Sequence, residues 1–394
     1  MDHDGVPSLA LHDPLGLADG TLIVPRAIAP LLALCDGSRP AEALADDLRR
    51  LHGLRVQPDL VARLLAMLAS ARLLEDDGAA DAMAARLAAY HAAPHRPPSH
   101  AGAAYPDDPR VLRAQLDGWL ASAGGPADDA PPVFPFGLVS PHIDYGRGGP
   151  VYAAAWRYAA RAAREADVAV IIATDHYGPS GTITPTRQHY ATPLGVLPTD
   201  ALAVDALAAA SGTAAAFEGE LRHATEHAVE LVAVWLQHVR GAVAPPLPLI
   251  PILVGGFGHF RSDPGEPARD PRLGAFLQAL RGAIAGRRAI VVASGDLAHV
   301  GPAFGGPAHG AAEYAALQRV DEALIDRMAS GDADGFFAQI QAVDNGNNVC
   351  GVAPIWLTMR AVGARRGTSL GYAQCPADAA DASRVSVCGI AFTP

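Results

Sequence analysis

The chain of 394 residues lacks lysine: all 30 of its basic residues are arginine. This absence excludes a Schiff-base lysine, a pyridoxal-phosphate anchor and the lysine of a phosphate-binding loop. The 41 acidic residues outnumber the basic ones and give a net charge of −11, which disfavours binding to nucleic acid or to an anionic membrane. We therefore expect no nucleic-acid partner.

Cysteines and long apolar runs are also scarce. The four cysteines, Cys35, Cys350, Cys375 and Cys388, are too scattered for a disulfide framework or a C-x-x-C zinc module, so we expect reduced thiols. No stretch of about 18 apolar residues predicts a membrane span. No basic segment followed by an apolar one predicts a secretory signal. These absences lead us to expect a cytoplasmic protein that does not bind membranes.

Half of the residues are apolar, and their spacing divides the chain. Within residues 1–78, two short apolar runs flank Asp19 and Gly20, which predicts a type I′ hairpin. Three further segments have apolar residues three and four positions apart, which predicts helices. The pattern is typical of a small α+β winged-helix domain. Residues 79–98 are rich in His, Pro and small residues and predict a linker.

Apolar strands alternate with amphipathic helices over residues 99–394. This alternation predicts an α/β domain with a mainly parallel sheet that is covered on both faces. Neither a G-x-G-x-x-G motif nor a phosphate-loop motif occurs, so the usual signals of nucleotide binding are missing.

Polar side chains follow three of the predicted strands. They are His142 and Asp144 in SPHIDYGRGG, Asp175 and His176 in ATDHYGP, and Asp296 and His299 in SGDLAHVG. Ligands of α/β proteins collect beyond the carboxyl ends of the strands, so we expect these side chains to form one metal or acid–base site.

Two other segments carry candidate site residues. Cys350 lies just before the predicted helix GVAPIWLTMRAVG, where the helix dipole and a nearby cation would lower the pKa of the thiol. In this position the thiol is a candidate metal ligand, the alternative being a buried, reduced cysteine. The segment HATEHAVE places His223 and His227 on one helix face. These two histidines belong either to a solvated helix start or to the surroundings of the site.

Eight blocks in this order resemble the Memo family, also labelled AmmeMemoRadiSam system protein B: SHAGAAYPDDPRVLRAQLDGWL, SPHIDYGRGGPVYAAAWRYAA, ATDHYGP, TEHAVELVAVWLQ, PLIPILVG, ASGDLAHVGPAF, NNVCGVAPIWLTM and SLGYAQCPADAADASRVSVCGIAF. The resemblance covers about residues 99–394. It implies a fold like that of the class III extradiol dioxygenases and a metal site of two histidines and a cysteine. The implied ligands are His142, His176 and Cys350, and the implied pocket residues are His227, Asp296 and His299.

Two imidazoles and a thiolate favour a softer ion over magnesium or calcium. We expect Fe(II), with Cu or Zn as alternatives, and a metal-dependent oxidoreductase. The extradiol resemblance implies that His299, near Asp296, is the acid–base residue. The competing hypothesis is a non-enzymatic metal-binding or adaptor protein of the Memo type. A zinc hydrolase is less favoured because an H-E-x-x-H helix is absent.

Asp144 departs from the best-known Memo pattern, which has a small residue at this place. The carboxylate either orients a ligand, acts as an acid or base, binds the metal, or forms an ion pair with Arg147. The Arg147-Gly-Gly turn would also offer a cation and backbone donors to an anionic substrate.

The first domain is similar to PqqD-like domains, the leader-peptide recognition elements of peptide-modifying systems. The similarity lies in GLADGTLIVPRAIAPLLALCDGSRPAEALADDLRRLHGL and DLVARLLAMLASARLLE. It implies that a precursor peptide binds along the TLIV strand edge. Residues 1–75 hold 10 acidic residues against 7 arginines, which disfavours DNA as the ligand. The alternative is a purely structural domain.

Overall fold

The computed structural model describes residues 2–3, 5–18, 20–124, 131–241, 245–262 and 266–394. The chain divides into two compact units, Met1–Ala93 and Pro94–Pro394. None of the described helices is both long and apolar enough to span a bilayer.

Among its described residues, the first unit combines a three-stranded antiparallel sheet with four α-helices. The strands are β1 (Asp2–His3), β2 (Val6–Leu11) and β3 (Leu22–Pro25), paired in that order. The helices are α1 (Ala29–Leu34), α2 (Ala41–His52), α3 (Pro58–Ser70) and α4 (Asp77–Ala92). Leu44 and Leu48 lie on one face of α2 and pack with Leu31 and Val61 in a small core. The three helices predicted from the apolar spacing are thus present.

The prediction of a tight hairpin at Asp19 and Gly20 is wrong about its first strand. Strands β2 and β3 pair up to Leu11 and Leu22, so the connection spans residues 12–21. The Asp13 carboxylate accepts hydrogen bonds from the backbone amides of Leu15 and Ala18, which holds this segment in a turn. Asp19, half of the predicted type I′ turn, lies outside the described residues.

Helix α4 occupies most of the range 79–98 that we predicted as a linker. Alanine has the highest helix propensity, and the Asp76 carboxylate caps the helix by accepting a hydrogen bond from the Ala79 amide at 2.8 Å. Beyond α4, Arg96 is fully buried and paired with Glu230 of the second unit. Residues 94–98 therefore belong to the second unit.

The second unit contains ten strands and ten α-helices among its described residues. Its strands are β4 (Phe136–Ser140), β5 (Val168–Thr174), β6 (Ile183–Pro185), β7 (Tyr190–Thr192), β8 (Gly195–Leu197), β9 (Leu249–Val254), β10 (Ala289–Ser294), β11 (His299–Val300), β12 (Arg366–Pro376) and β13 (Arg384–Thr393). Its helices are α5 (Pro109–Ser122), α6 (Tyr145–Glu165), α7 (Ala201–Ser211), α8 (Thr213–Phe217), α9 (Ala228–Arg240), α10 (His259–Ser262), α11 (Pro271–Ile284), α12 (Ala311–Ala329), α13 (Ala333–Gln341) and α14 (Val352–Val362).

The main sheet has parallel strands in the middle and antiparallel strands at its flanks. Strands β4, β10, β5 and β9 are neighbours in that order and run parallel, whereas β6, β11, β12 and β13 pair antiparallel. Successive residues of β5 face opposite sides: Ile171 joins one apolar core and Ile172 the other. The expected mainly parallel sheet, covered on both faces, is thus confirmed for its centre.

The parallel pairing determines where the polar strand ends lie. Ser140 of β4 and Ser294 of β10 are paired in register, and Ser294 is also paired with Ala173 of β5. The residues that follow these three strands therefore meet at one edge of the sheet.

A buried carboxylate away from this edge makes stability depend on pH. Asp321 on α12 is fully buried and accepts a hydrogen bond from the Tyr372 hydroxyl at 2.8 Å. Burial raises the pKa of Asp321 to about 6. The folded chain therefore retains a proton that the unfolded chain releases at lower pH, and stability falls as pH rises through this range.

We expect the free energy of unfolding of Asp321→Asn, relative to that of the wild type, to increase by about 2 to 3 kcal/mol from pH 4 to pH 7.5, because the amide does not ionise. Urea unfolding at both pH values measures this difference. A stability difference that stays constant with pH would contradict the assignment.

Candidate metal centre

Three residues from separate parts of the second unit converge at the sheet edge. His142 follows β4, His176 follows β5 and Cys350 precedes α14, and their ligand atoms all lie within 4.8 Å of one another. The Cys350 Sγ is 3.2 Å from the Nε2 of His142. The structure thus brings together the two histidines and the thiol that the sequence singled out.

A close backbone approach allows Cys350 to reach the strand ends. A Cβ on Gly295 would lie 2.5 Å from the Cα of Gly351, so a side chain at 295 would push the loop away. The Gly351 amide donates to the Asp296 carbonyl at 2.9 Å, and the Asp296 amide donates to the Cys350 Sγ at 3.3 Å. Glycine at both positions therefore fixes the thiol at the end of β10.

Glu226 orients two of the histidines. Its buried carboxylate accepts hydrogen bonds from the Nδ1 of His176 at 3.1 Å and from the Nδ1 of His227 at 2.9 Å. The backbone amides of His176 and Ala228 donate to it as well. Since a carboxylate only accepts, each ring carries a proton on Nδ1 and turns its Nε2 to the other side. The sequence reasoning missed Glu226, although it directly precedes His227 in the TEHAVE block.

His142 has the same tautomer for a different reason. The Ser294 hydroxyl donates to the Ala228 carbonyl at 2.6 Å, so its oxygen accepts from the Nδ1 of His142 at 3.4 Å. The Nε2 of His142 is thereby left facing Cys350. Burial, with the neighbouring His176 and His227, holds the pKa of His142 well below its ordinary value, so the ring is neutral.

The pKa of Cys350 differs from the sequence prediction. We expected the helix dipole to lower it, but burial of the sulfur raises it. The desolvation of the thiolate outweighs the hydrogen bond from His176. The opposite holds for His176, where burial alone would lower the pKa but the hydrogen bonds to Cys350 and Glu226 raise it well above the ordinary value.

The cluster borders a cavity of about 490 Å³, which we call the polar cavity because its lining includes eight histidine, aspartate and arginine residues beside apolar ones. Its lining includes His142, Asp144, Arg147, His176, His227, Asp296 and His299. His100, which the sequence reasoning missed, also lines it and lies beside His227. The predicted catalytic and binding residues are therefore all placed around one space.

His299 and Asp296 have separate partners. The Nδ1 of His299 faces the carbonyl oxygens of Leu297 and Asn348 at 3.2 and 3.1 Å, so Nδ1 carries the proton. Burial lowers the pKa of His299 to about 4, which leaves Nε2 unprotonated at neutral pH. Asp296 instead accepts a hydrogen bond from the His142 amide at 2.9 Å, and burial raises its pKa to about 6.

Asp144 and Arg147 form an ion pair at the start of α6. The Asp144 carboxylate caps this helix by accepting from the Arg147 amide at 3.1 Å, and the Arg147 Nε donates to it at 2.5 Å. Among the alternatives set out above for Asp144, this geometry matches the ion pair. The arginine also donates to the Pro376 carbonyl and remains on the cavity wall.

His223 and His227 do not share a helix. His223 belongs to a 3₁₀ turn, Glu220–Ala224, and is fully buried between the Tyr190 hydroxyl and the Thr184 carbonyl. Helix α9 begins only at Ala228, because Glu226 turns back to bind the two histidines. Of the two alternatives for these histidines, the solvated helix start is therefore wrong. His227 lines the polar cavity, whereas His223 is not among its lining residues.

The fold and the site define a class: an α/β protein with a cluster of two histidines and a cysteine at the carboxyl edge of its parallel strands. Residues 96–391 match the family model of the Memo-like proteins. The chain belongs to the Memo family.

Curated relatives agree with this assignment. A MEMO1 family protein of Methanopyrus kandleri is 30% identical over 302 residues, which cover 74% of this chain and 95% of the relative. A MEMO1 family protein of Aquifex aeolicus is 23% identical over 401 aligned positions that cover 97% of this chain and 95% of the relative. The second match therefore extends through the first unit.

Proposed function

We propose that the second unit binds one metal ion through His142, His176 and Cys350 and catalyses an oxidation–reduction reaction in the polar cavity. The observation that carries this proposal is the convergence of two imidazole nitrogens and a thiol beside an accessible space. Fe(II) is our first choice of metal, with Cu or Zn as the alternatives.

The donor set fits such an ion. Metal–nitrogen distances near 2.0 Å and metal–sulfur distances near 2.3 Å place neighbouring ligand atoms roughly 3 to 4 Å apart, and the Cys350 Sγ lies 3.2 Å from the Nε2 of His142. Three protein ligands leave further coordination positions open. When bound, the ion supplies redox chemistry and polarises whatever substrate atom it contacts.

The side chains around the cavity supply binding and proton transfer. The Arg147 guanidinium offers a cation to an anionic group, although its ion pair with Asp144 competes for that role. The unprotonated Nε2 of His299 is the acceptor for a substrate proton at neutral pH. His227, oriented by Glu226 through its Nδ1, lies on the wall of the same cavity.

His299 provides the first functional test. We expect His299→Ala to retain the metal and to lower turnover about 100- to 10,000-fold, the usual share of general acid–base catalysis. Anaerobic purification with metal analysis, followed by oxygen consumption with peptides encoded beside the gene, measures both quantities. Loss of metal in this variant would make His299 a ligand. A wild type that binds metal but consumes no oxygen would favour the metal-binding or adaptor alternative.

We further propose that the first unit binds a precursor peptide that the second unit modifies. Within the described residues, β3 lies at the edge of its sheet and has one side unpaired. Such an edge can add an extended peptide as a further strand. The acidic balance of this unit gives a nucleic acid little attraction.

Removing the first unit should separate peptide binding from metal binding. A chain beginning at Pro94 keeps Arg96 and every proposed ligand, so we expect it to retain its metal. We expect it to lose affinity for the peptide, measured by calorimetry against the full-length chain. Equal peptide affinity of the two chains would show that the first unit is not the binding site.

A further inference from the structure

A second cavity, of about 270 Å³, also borders the metal site. It lies at the carboxyl ends of β5 and β9, under α13, and its lining includes His176 and Cys350. His176 is the one residue that lines both this cavity and the polar cavity. We call the second cavity the apolar pocket.

Five apolar side chains line it: Phe257, Phe337, Ile340, Val349 and Val352. All five are buried. The rings of Phe257 and Phe337 pack edge to face, with centroids 5.9 Å apart, which fixes their positions. This part of the wall therefore offers a ligand mainly dispersion contacts.

The polar side chains of the lining are directed to the protein itself. Gln341 donates to the Phe260 carbonyl at 3.0 Å, and the Asn345 side chain accepts from the Val349 amide at 2.9 Å. Thr174 donates to the Cys350 carbonyl at 3.1 Å, and Asp175 accepts from Arg222 at 2.6 Å. A charged or strongly polar occupant would thus lose water without gaining equivalent partners.

We propose that the apolar pocket binds an aromatic ring or a branched aliphatic group of the substrate and holds it against His176 and Cys350. Sites for whole drug-sized molecules measure roughly 300 to 1,000 Å³, so a cavity of this size suits one ring or side chain. The role of this contact in catalysis rests on the proposed function, whereas the binding of an apolar group does not.

Fluorine NMR tests the binding on the metal-free, full-length chain. The probes are 4-fluorotoluene, a free aromatic molecule, and N-acetyl-4-fluorophenylalanine amide, which presents the same ring as a peptide side chain. We expect saturable line broadening with at least one probe, and the probe that binds identifies the source of the ring. The matched control Ile340→Leu should behave as wild type. Ile340→Trp fills the pocket from α13 and should weaken binding at least about tenfold.

Ile340→Phe replaces the tryptophan variant if circular dichroism shows that the latter is unfolded. Absence of saturable binding in the wild type, or equal affinity in the filled variant, would overturn the proposal.

The position of the bound ring relative to the metal site has its own readout. In the Co(II)-loaded protein we expect faster ¹⁹F relaxation of the bound probe than in the Zn(II)-loaded protein, because the pocket touches two of the proposed ligands. Equal relaxation in the two metal-loaded proteins would place the probe elsewhere. If neither ion binds while the metal-free protein still takes the probe, the proposed metal function fails and the pocket remains.

Discussion

The variant with His142, His176 and Cys350 all replaced by alanine is expected to bind no metal, whereas the wild type binds one ion. These three side chains supply every donor atom of the cluster. Loss of a group that merely orients a metal ligand costs about 10- to 100-fold in affinity, so loss of a ligand itself should cost more than about 100-fold. Metal analysis after anaerobic purification measures the content.

Two further variants separate ligand loss from general damage. Cys388→Ala removes a buried thiol, and His309→Ala removes a histidine, in each case outside the cluster. Both should keep the wild-type metal content. Cys350→Ser alone should abolish the sulfur-to-metal absorption band of the Co(II)-loaded protein. A triple variant that purifies with wild-type metal content would refute the site.

The convergence of the site was predictable because parallel strands end at a common edge. Continuous apolar strands predicted parallel pairing, and the register of β4, β10 and β5 then fixes where His142, His176 and Asp296 lie. For Cys350 the sequence indicated only that the residue lies at the start of a helix. Its contact with β10 depends on Gly295 and Gly351, whose close approach is a tertiary property.

The electrostatics of the site were not predictable from the sequence. The position of Cys350 before α14 suggested a lowered pKa, but the degree of burial decides the sign, and burial cannot be read from a helix start. Likewise, TEHAVE has the spacing of a helix, yet the Glu226 carboxylate leaves the helical pattern to accept four hydrogen bonds. A partner that is distant in sequence, His176, determines this local structure.

The first unit shows the same limit on a smaller scale. The apolar spacing of α1 to α3 was sufficient to predict these helices, whereas α4 was obscured by its composition. Alanine-rich sequence with nearby proline and histidine resembles a linker, but the prolines lie beyond the end of the helix at Ala92. The position of the helix-breaking prolines was therefore a better guide to the end of α4 than their number.

Glu226→Gln is expected to lower metal affinity about 10- to 100-fold while the fold is retained. The wild-type carboxylate accepts from the rings of both His176 and His227. A glutamine side chain offers one carbonyl oxygen, and its NH₂ group would face the Nδ1–H of one ring as donor against donor. That ring must then rotate or change tautomer, which moves its Nε2 lone pair away from the metal site.

The readout has to distinguish orientation from simple destabilisation. Glu220→Gln is the matched control, since Glu220 is also a buried carboxylate and accepts from the Thr186 hydroxyl and the Arg187 amide. We expect Glu226→Gln, but not Glu220→Gln, to change the ligand-field spectrum of the Co(II)-loaded protein at full occupancy. Glu226→Asp keeps the charge and both acceptor oxygens, so it should restore part of the affinity lost in Glu226→Gln. An unchanged spectrum in Glu226→Gln, or an equal loss of affinity in the control, would show that Glu226 only supports the fold.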